Sequence, residues 1–349
     1  MQVDSIQEQL DKNRRSVAFD SYDIAVRQLV DMLLEKMIDI APEYQRHFKW
    51  NTERQSQLVE SLLLGIPIPS LFMATNKDSS WEVIDGLQRL TTIISFLGTE
   101  EQITAVNKNS KKLRLEGLEK LNAINGMTFD ELPKAIQVMF LTRPIRVTVL
   151  NDRSDFGVRY DLFERLNTGG ITLNPQEIRN CLFIGEFNNF LKECSQNRNF
   201  RAVLKLPADV ERSGSLEELV LKFFAYYEQQ DKFVHSVEGF LNDYMKEKTT
   251  SFKNSKPLKQ IFDETFSKLH RNLPGGIVRG TRINTTPIVL YEAISVGVAM
   301  ALNEGKEIDG EKLAGLLNNS KLKKLTTGAT NSRKMLLDRI QLVKEGCCK

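Results

Sequence analysis

Hydrophobic and polar positions in the first 150 residues follow two different periods. Apolar and β-branched residues alternate with polar ones in Pro144–Leu150, and short runs of the same kind occupy residues 22–26, Leu71–Thr75 and Trp81–Asp85. Alternation with period two is typical of β-strands. In residues 27–38 and Thr52–Leu64 the apolar positions instead recur every three or four residues, which predicts amphipathic helices. The mixture predicts an α+β N-terminal domain.

Local signals mark where several further helices begin and end. Leu90, Ile93, Ile94 and Leu97 have helical spacing directly after the Trp81–Asp85 strand, and Gly98 ends this helix. Helices are also predicted for residues 129–140 and 154–166. Asn174 followed by Pro175 and Glu177 predicts a helix start with a capping box.

Strand patterns disappear after about residue 198. Every later periodic segment is helical; the segments are SLEELVLKFFAYY, VEGFLNDYM, PLKQIFDETFSKL, TPIVLYEAISVGVAMAL and SRKMLLDRIQLV. We therefore predict an α+β domain over residues 20–197 and an all-helical domain over residues 198–346.

Composition is that of an ordinary soluble chain. The 349 residues include 41% hydrophobic and 27% charged residues, with a net charge of +3. No apolar run approaches the roughly 18–20 residues of a membrane span. The four cysteines form no C-x-x-C pair, which favours the reducing cytoplasm. One stretch, Lys321–Lys334, carries five basic residues and no acid, so it is either a phosphate-tracking surface or a solvated face.

The strand-to-helix corner WEVIDGLQRL combines an acid, a glycine, an amide and a guanidinium. A helix start exposes backbone N–H groups that favour an anion, Arg89 can clamp a phosphate, and Asp85 can hold a metal ion or orient water. Alternatively, Asp85 is the N-cap of the helix and Gln88 completes a capping-box variant. The corner alone leaves both interpretations open.

Two further clusters bear on this choice. YQRHFKW (44–50) alternates aromatic and basic residues, as in a strand lining a nucleotide groove or a strand with its aromatic residues in the core. FERLNTGG (163–170) places Glu164 and Asn167 before Gly169 and a second glycine. Such a glycine pair either turns backbone N–H groups toward a ligand or forms a plain helix end and turn.

Together, R-x-F-x-W, the strand–DGLQR–helix corner and FERLNTGG-x-x-LN-x-x-EIRN resemble the N-terminal domain of GmrSD-type modification-dependent restriction enzymes, also described as ParB/sulfiredoxin-like. The resemblance covers residues 20–200 and implies a small mixed sheet flanked by helices and followed by a helical region. It also implies Mg²⁺-dependent binding and hydrolysis of a nucleoside triphosphate, coupled to restriction of foreign DNA with a separate nuclease subunit. The residues that match the family's nucleotide site are Asp85, Gly86, Gln88, Arg89, Arg46, Glu164, Asn167 and Gly169.

The sequence departs from the family pattern at one position of the corner. The common family form is DGQQR, whereas Leu87 stands at the middle position here, which puts hydrolysis in question more than binding. We expect Asp85, Gln88, Arg89 and Glu164 to carry the chemistry, with Asp85 or Glu164 as the ligand of Mg²⁺. Arg46, Gly86, Asn167 and Gly169 are expected to hold the nucleotide.

Two alternative functions stay open at the level of sequence. The chain has three histidines, His47, His235 and His270, and none lies in an HNH-like cluster, so we expect no HNH nuclease in it. A ParB-like regulator that binds DNA without catalysis is one alternative, and direct strand cleavage by the α+β domain is the other. The oligomeric state is left open.

Overall fold

The computed structural model describes residues 19–40, 50–76, 78–106, 110–151, 160, 162, 164–165, 174–207, 214–281, 284–328 and 330–349. The chain divides into two compact units, Met1–Thr172 and Leu173–Lys349. Our prediction from sequence placed the boundary 25 residues later, at 197/198. The structure puts residues 174–197 with the second unit because their helices bury aromatic side chains against later helices.

The first unit is built on a five-stranded mixed sheet. Its strands are β1 (Phe19–Ala25), β2 (Ile38–Asp39), β3 (Leu71–Thr75), β4 (Trp81–Asp85) and β5 (Pro144–Leu150). The order across the sheet is β1-β5-β3-β4-β2. Strand β1 runs antiparallel to β5 and β3 antiparallel to β4, whereas β3 with β5 and β2 with β4 are parallel. The α+β fold class with a mixed sheet is therefore confirmed.

Five α-helices whose bounds are described accompany this sheet. They are α1 (Val26–Leu34), α2 (Thr52–Leu64), α3 (Leu87–Leu97), α4 (Glu100–Val106) and α5 (Lys134–Leu141). Helix α3 is buried along almost its whole length, and Phe96 on it contacts the rings of Phe129 and Phe140. The core of the first unit therefore lies around the helix that follows the DGLQR corner.

Two predicted helices of this unit are shorter than the sequence pattern indicated. Residues 27–38 were predicted as one helix, but α1 ends at Leu34, and Lys36 adopts a left-handed φ of 60° that no helix can continue through. Residues 129–140 were likewise predicted as one helix. Pro133 instead separates a 3₁₀ turn at Phe129–Glu131 from α5, because proline lacks the N–H that a continuous helix needs.

The described part of the second unit is helical. Its helices are α6 (Pro175–Leu182), α7 (Glu186–Ser195), α8 (Arg198–Val203), α9 (Ser215–Gln229), α10 (Val237–Ser251), α11 (Lys256–Asn272), α12 (Ile288–Asn303), α13 (Gly310–Leu316), α14 (Ser320–Leu325) and α15 (Arg333–Gly346). Helix α12 is apolar on nearly all sides and lies at the centre. It packs so closely on α15 that a side chain at Gly297 would overlap Val343. The five helical segments predicted after residue 198 are confirmed.

No helix among the described residues is both long enough and apolar enough to cross a lipid bilayer.

Candidate functional site

The corner between β4 and α3 is shaped by Gly86. This residue is the N-cap of α3 and has φ 112° and ψ 8°, a backbone conformation that side chains disfavour. A Cβ atom there would overlap the side chain of Leu71 on the neighbouring strand β3. The strand can therefore turn into the helix at this point only with glycine, and this brings Asp85 and Arg89 to the same side.

The alternative in which Asp85 caps the helix is wrong. The N-cap is Gly86, which has no side chain with which to cap the first turn of α3. Asp85 Oδ2 instead accepts a hydrogen bond from Arg89 Nη2 at 2.6 Å. Asp85 therefore does not cap the helix, and the positive end of the helix dipole favours an anion at this helix start.

Arg89 is a buried connector. Its side chain is 10% exposed, and besides Asp85 it donates through Nη1 to the carbonyl oxygens of Pro69 and Ser70, the latter at 3.1 Å. Those two carbonyls lie just before strand β3, and Asp85 is the last residue of β4. The guanidinium of Arg89 therefore links the start of β3 to the end of β4. Arg89 was predicted as a phosphate clamp. In this geometry it fixes the shape of the corner and the position of the Asp85 carboxylate.

Asp85 retains the capacity to bind a cation. Its side chain is 40% exposed, and only Oδ2 is used by Arg89. Magnesium is commonly held by one or two carboxylates together with the phosphates of its nucleotide. No group of three or more histidine, cysteine, aspartate or glutamate side chains that could hold a metal ion occurs among the described residues. A nucleotide-bound Mg²⁺ with Asp85 as a ligand fits this site, whereas a metal held by protein ligands alone does not fit the described part.

The Trp50 end of the R-x-F-x-W segment meets the DGLQR corner. The backbone N–H of Trp50 donates to Gln88 Oε1 at 3.3 Å, and the Trp50 carbonyl accepts from Gln55 Nε2 at 3.0 Å. Residues 41–49, including Arg46, lie outside the described residues, so the placement of Arg46 stays a prediction. Two motifs separated by 38 residues in sequence are thereby joined at one point, a contact that the sequence did not reveal.

The remaining predicted site residues are not brought to the corner by the described structure. Glu164 is exposed on a helical stretch, and Asn167 and Gly169 lie outside the described residues. The capping box of the following motif is confirmed: Asn174 accepts from the backbone of Glu177, and the Glu177 carboxylate accepts from the Asn174 N–H. Arg179 of the EIRN sequence has a side-chain exposure of 1% and pairs with Glu218 inside the second unit. EIRN therefore serves the helical core.

The basic stretch Lys321–Lys334 lies on α14 and at the start of α15. All five of its cationic side chains are exposed, and none of them forms an ion pair with a described residue: Lys321, Lys323, Lys324, Arg333 and Lys334. Asn319 and Ser332 cap the two helices, which fixes the backbone that carries these charges. The stretch is therefore an exposed basic surface, which fits both a phosphate-tracking surface and a solvated face.

Comparison with known proteins adds a family to this geometry. Residues 26–184 match the family model described as the GmrSD restriction endonuclease, N-terminal domain. A solved structure of a Pnob8-like ParB-N domain is similar at 13% identity and a TM-score of 0.24, with 93% of this chain and 98% of that chain covered. No curated protein matches the chain.

Proposed function

Residues 26–184 belong to the GmrSD restriction endonuclease N-terminal domain family, and from this premise we propose that the DGLQR corner binds a nucleoside triphosphate with Mg²⁺. The protein would be the nucleotide-binding and hydrolysing part of a modification-dependent, anti-phage restriction system. A separate subunit would supply the nuclease. The observation that carries the proposal is the hydrogen bond between Trp50 and Gln88, which joins the two motifs beside the start of α3, where Gly86 is the N-cap.

Some groups of the corner are proposed to bind the ligand, and others hold the binding groups in position. The first turn of α3 presents backbone N–H groups toward a phosphate, and Asp85 offers a partly exposed carboxylate to its Mg²⁺. Bound Mg²⁺ neutralises the negative charge that the phosphate oxygens carry. Arg89 keeps Asp85 in place through their 2.6 Å bond. Arg46, four residues before Trp50, is the proposed cation for the outer phosphates.

In this proposal, Leu87 affects hydrolysis of the nucleotide more than binding of the nucleotide. Its side chain is 9% exposed and packs inward, so it offers nothing polar to a ligand at the position where the family commonly has glutamine. Anchoring of the phosphates relies on backbone groups and on Asp85, which Leu87 leaves intact. Positioning of an attacking water depends on polar side chains, for which Gln88 and Glu164 are the proposed candidates.

Phosphate release from ATP, GTP, CTP and UTP with Mg²⁺, with and without DNA, tests the proposal. Asp85→Asn is the decisive variant because it keeps a hydrogen-bond acceptor for Arg89 while removing the charge that a metal needs. Asp23→Asn is the matched control, since it removes a carboxylate from an exposed ion pair with Arg146 in the same unit. We expect turnover of one nucleotide, lowered at least about tenfold by Asp85→Asn and unchanged by Asp23→Asn. Equal turnover in both variants contradicts the role of the corner.

A second candidate function, DNA binding without catalysis, is favoured by the basic surface of α14 and α15. Five exposed and unpaired cations within 14 residues suit contacts to a phosphate backbone. In this case no nucleotide is turned over, and binding of duplex DNA weakens steeply with salt. Lys323→Glu together with Lys324→Glu would abolish binding, while Lys120→Glu, at an exposed lysine of the first unit, would not.

A further inference from the structure

The first unit contains a cavity that neither motif predicts. It has a volume of about 850 Å³ and lies between the start of α2, helix α3 and the segment Ser110–Gly117. This volume is within the usual range for pockets that take a small organic ligand. Ser95, which lines it, follows Gln88 by seven residues on α3, or about 10 Å along the helix axis. The Ser95 wall therefore lies away from Gln88, whereas Trp50, whose N–H donates to Gln88, lines the cavity and places it next to the corner.

The walls of the cavity are held by backbone hydrogen bonds. The N–H of Leu113 donates to Ser95 O at 2.8 Å, and the N–H of Leu115 donates to Met127 O at 2.9 Å. On the opposite side, the hydroxyl of Ser56 accepts from the Glu116 N–H at 3.0 Å. These bonds tie the segment to α3, to the turn before Phe129 and to α2, so the pocket is formed before any ligand arrives.

Two hydroxyl groups on the cavity wall lack partners. Ser95 is 1% exposed, and its Oγ forms no hydrogen bond with any described group. The Oγ of Ser110 is buried in the same way. A buried hydroxyl without a partner is unfavourable, and most native structures avoid it. Both serines line the cavity, where a ligand with polar atoms can satisfy them.

Charge and aromatic character at the cavity point to the class of ligand. Trp50 lines it, and Arg54 covers one face of the indole with its guanidinium carbon 4.8 Å from the ring centre, so the opposite face is the one on which a ligand could stack. Three cations line the cavity against one carboxylate, Glu116. Two of the cations form ion pairs: Lys112 with Asp130 at 3.1 Å and Arg114 with Glu131 at 3.0 Å. Lys111 is exposed and has no ion pair or hydrogen bond among the described residues.

We propose that this cavity binds a nucleoside monophosphate unit, with the base stacked on Trp50, the phosphate on Lys111 and a polar group of the ligand on Ser95. An aromatic side chain and a cation without a described partner on the walls of one cavity are the combination that recognises stacked, phosphate-bearing bases. The same chemistry is offered by a free nucleotide and by one nucleotide of a single DNA strand. The site goes beyond the proposed triphosphate site and does not require hydrolysis at the corner.

Tryptophan fluorescence of the full chain tests this site directly. The chain has two tryptophans, so Trp81→Phe leaves Trp50 as the sole reporter. In this background, deoxynucleoside 5′-monophosphates, the corresponding nucleosides, inorganic phosphate and a short single-stranded oligodeoxynucleotide are titrated without Mg²⁺. Urea unfolding of each variant establishes that it is folded.

We expect saturable quenching of Trp50 by a monophosphate, with weaker binding of the nucleoside. Lys111→Glu should weaken binding by about tenfold and Ser95→Ala by about fivefold, as expected for the loss of one charge-assisted and one neutral hydrogen bond. Lys120→Glu, the matched charge reversal outside the cavity, should leave binding unchanged. Quenching by the oligonucleotide alone, with the same pattern among the variants, supports the site and assigns the DNA strand as its source.

Three results would overturn the site. They are the absence of quenching by both ligands, quenching that ignores Lys111→Glu and Ser95→Ala, and equal binding of nucleoside and monophosphate. The Asp85→Asn variant distinguishes failure of the cavity site from failure of the proposed triphosphate site at the corner. Loss of triphosphate turnover with intact monophosphate binding means that two sites exist. Loss of both triphosphate turnover and monophosphate binding in Asp85→Asn, with no effect of Lys111→Glu on monophosphate binding, means that the corner alone binds nucleotide.

Discussion

At the scale of the residue, Arg89 shows that a side chain predicted to bind a ligand can also support the shape of its site. Its guanidinium joins two strands by donating to two backbone carbonyls and to Asp85. The Arg89 side chain is 10% exposed, and its removal leaves three acceptor groups without their hydrogen-bond donor. Loss of nucleotide binding in an Arg89→Ala variant would therefore report a collapsed corner as readily as a lost phosphate contact.

We expect Arg89→Ala to lower the free energy of unfolding by about 1–3 kcal/mol, because three acceptors at the corner lose a charged donor in part-buried hydrogen bonds. Arg27→Ala is the control: it removes an arginine from an exposed ion pair with Asp31, a loss worth under about 0.5 kcal/mol. Urea unfolding of the full chain measures both. A loss for Arg89→Ala no larger than for Arg27→Ala would show that the connector role is wrong.

Sequence reasoning brought the right corner residues together but could not assign their partners. The DGLQR spacing places Asp85 and Arg89 one helical turn apart, which is readable from periodicity. The carbonyls of Pro69 and Ser70 were not readable, because backbone oxygens leave no sequence signature. The prolines at 67 and 69 were the available signal, since they predict an extended entry to β3. Likewise, nothing in the composition of YQRHFKW indicated that the Trp50 N–H would meet Gln88.

At the scale of the element, the turn from β4 into α3 depends on one glycine for two reasons. Gly86 has φ 112°, and a side chain on it would overlap Leu71. Conformational strain and steric overlap can be separated because Gly126 has a comparable φ of 81° with no atom near its absent Cβ. A substitution at Gly126 therefore causes conformational strain without steric overlap.

We expect Gly126→Ala to lower the free energy of unfolding by about 1 kcal/mol, the cost of a left-handed conformation for a residue with a Cβ. Gly86→Ala should cost at least about 2 kcal/mol more, because β3 or α3 must move. Thermal and urea unfolding of the two variants give the difference. Equal losses for the two would mean that β3 yields freely to the added methyl group.

At the scale of the whole molecule, periodicity predicted the fold class, but periodicity alone does not determine how the chain divides into units. Period-two and helical patterns identified all strands of the sheet except the two-residue β2, which is too short to show alternation. The predicted boundary at 197/198 differs from the division after Thr172, because a helix of the second unit has the same amphipathic pattern as one of the first. Phe187 and Phe190 show the difference only in their partners, Tyr244 and Phe224 of the later helices. Partner choice is a tertiary property that periodicity does not contain.

The second unit also contains a series of buried and half-buried charges that no sequence motif indicated. Arg179 pairs with Glu218 at 3.2 Å, Lys222 contacts Glu218 at 3.1 Å and Glu292 at 3.6 Å, and Arg339 pairs with Glu292 at 2.7 Å. The series links helices α6, α9, α12 and α15. Breaking such a buried pair leaves an uncompensated charge, so the helical unit is sensitive to the ionisation of its members.

Glu218 makes this sensitivity measurable as a function of pH. Burial alone would raise the pKa of its carboxyl, but Lys222 and Arg179 together outweigh burial and hold the pKa below its ordinary value of 4.5. A carboxyl with a lowered pKa contributes stability that is fully present above its unfolded pKa and is lost as the pH falls through its folded pKa. The stabilisation from Glu218 should therefore persist at neutral pH and disappear below about pH 4.5.

We expect Glu218→Gln to lower the free energy of unfolding by about 1–3 kcal/mol at neutral pH, and this difference from the parent chain should shrink as the pH falls. Asp231→Asn, at an exposed carboxylate without an ion-pair partner among the described residues, should cost under about 0.5 kcal/mol at every pH. Urea unfolding from about pH 7 to pH 3, monitored by circular dichroism, follows both. A Glu218→Gln deficit that stays constant to pH 3 would mean that packing of the side chain, and not its charge, links the four helices.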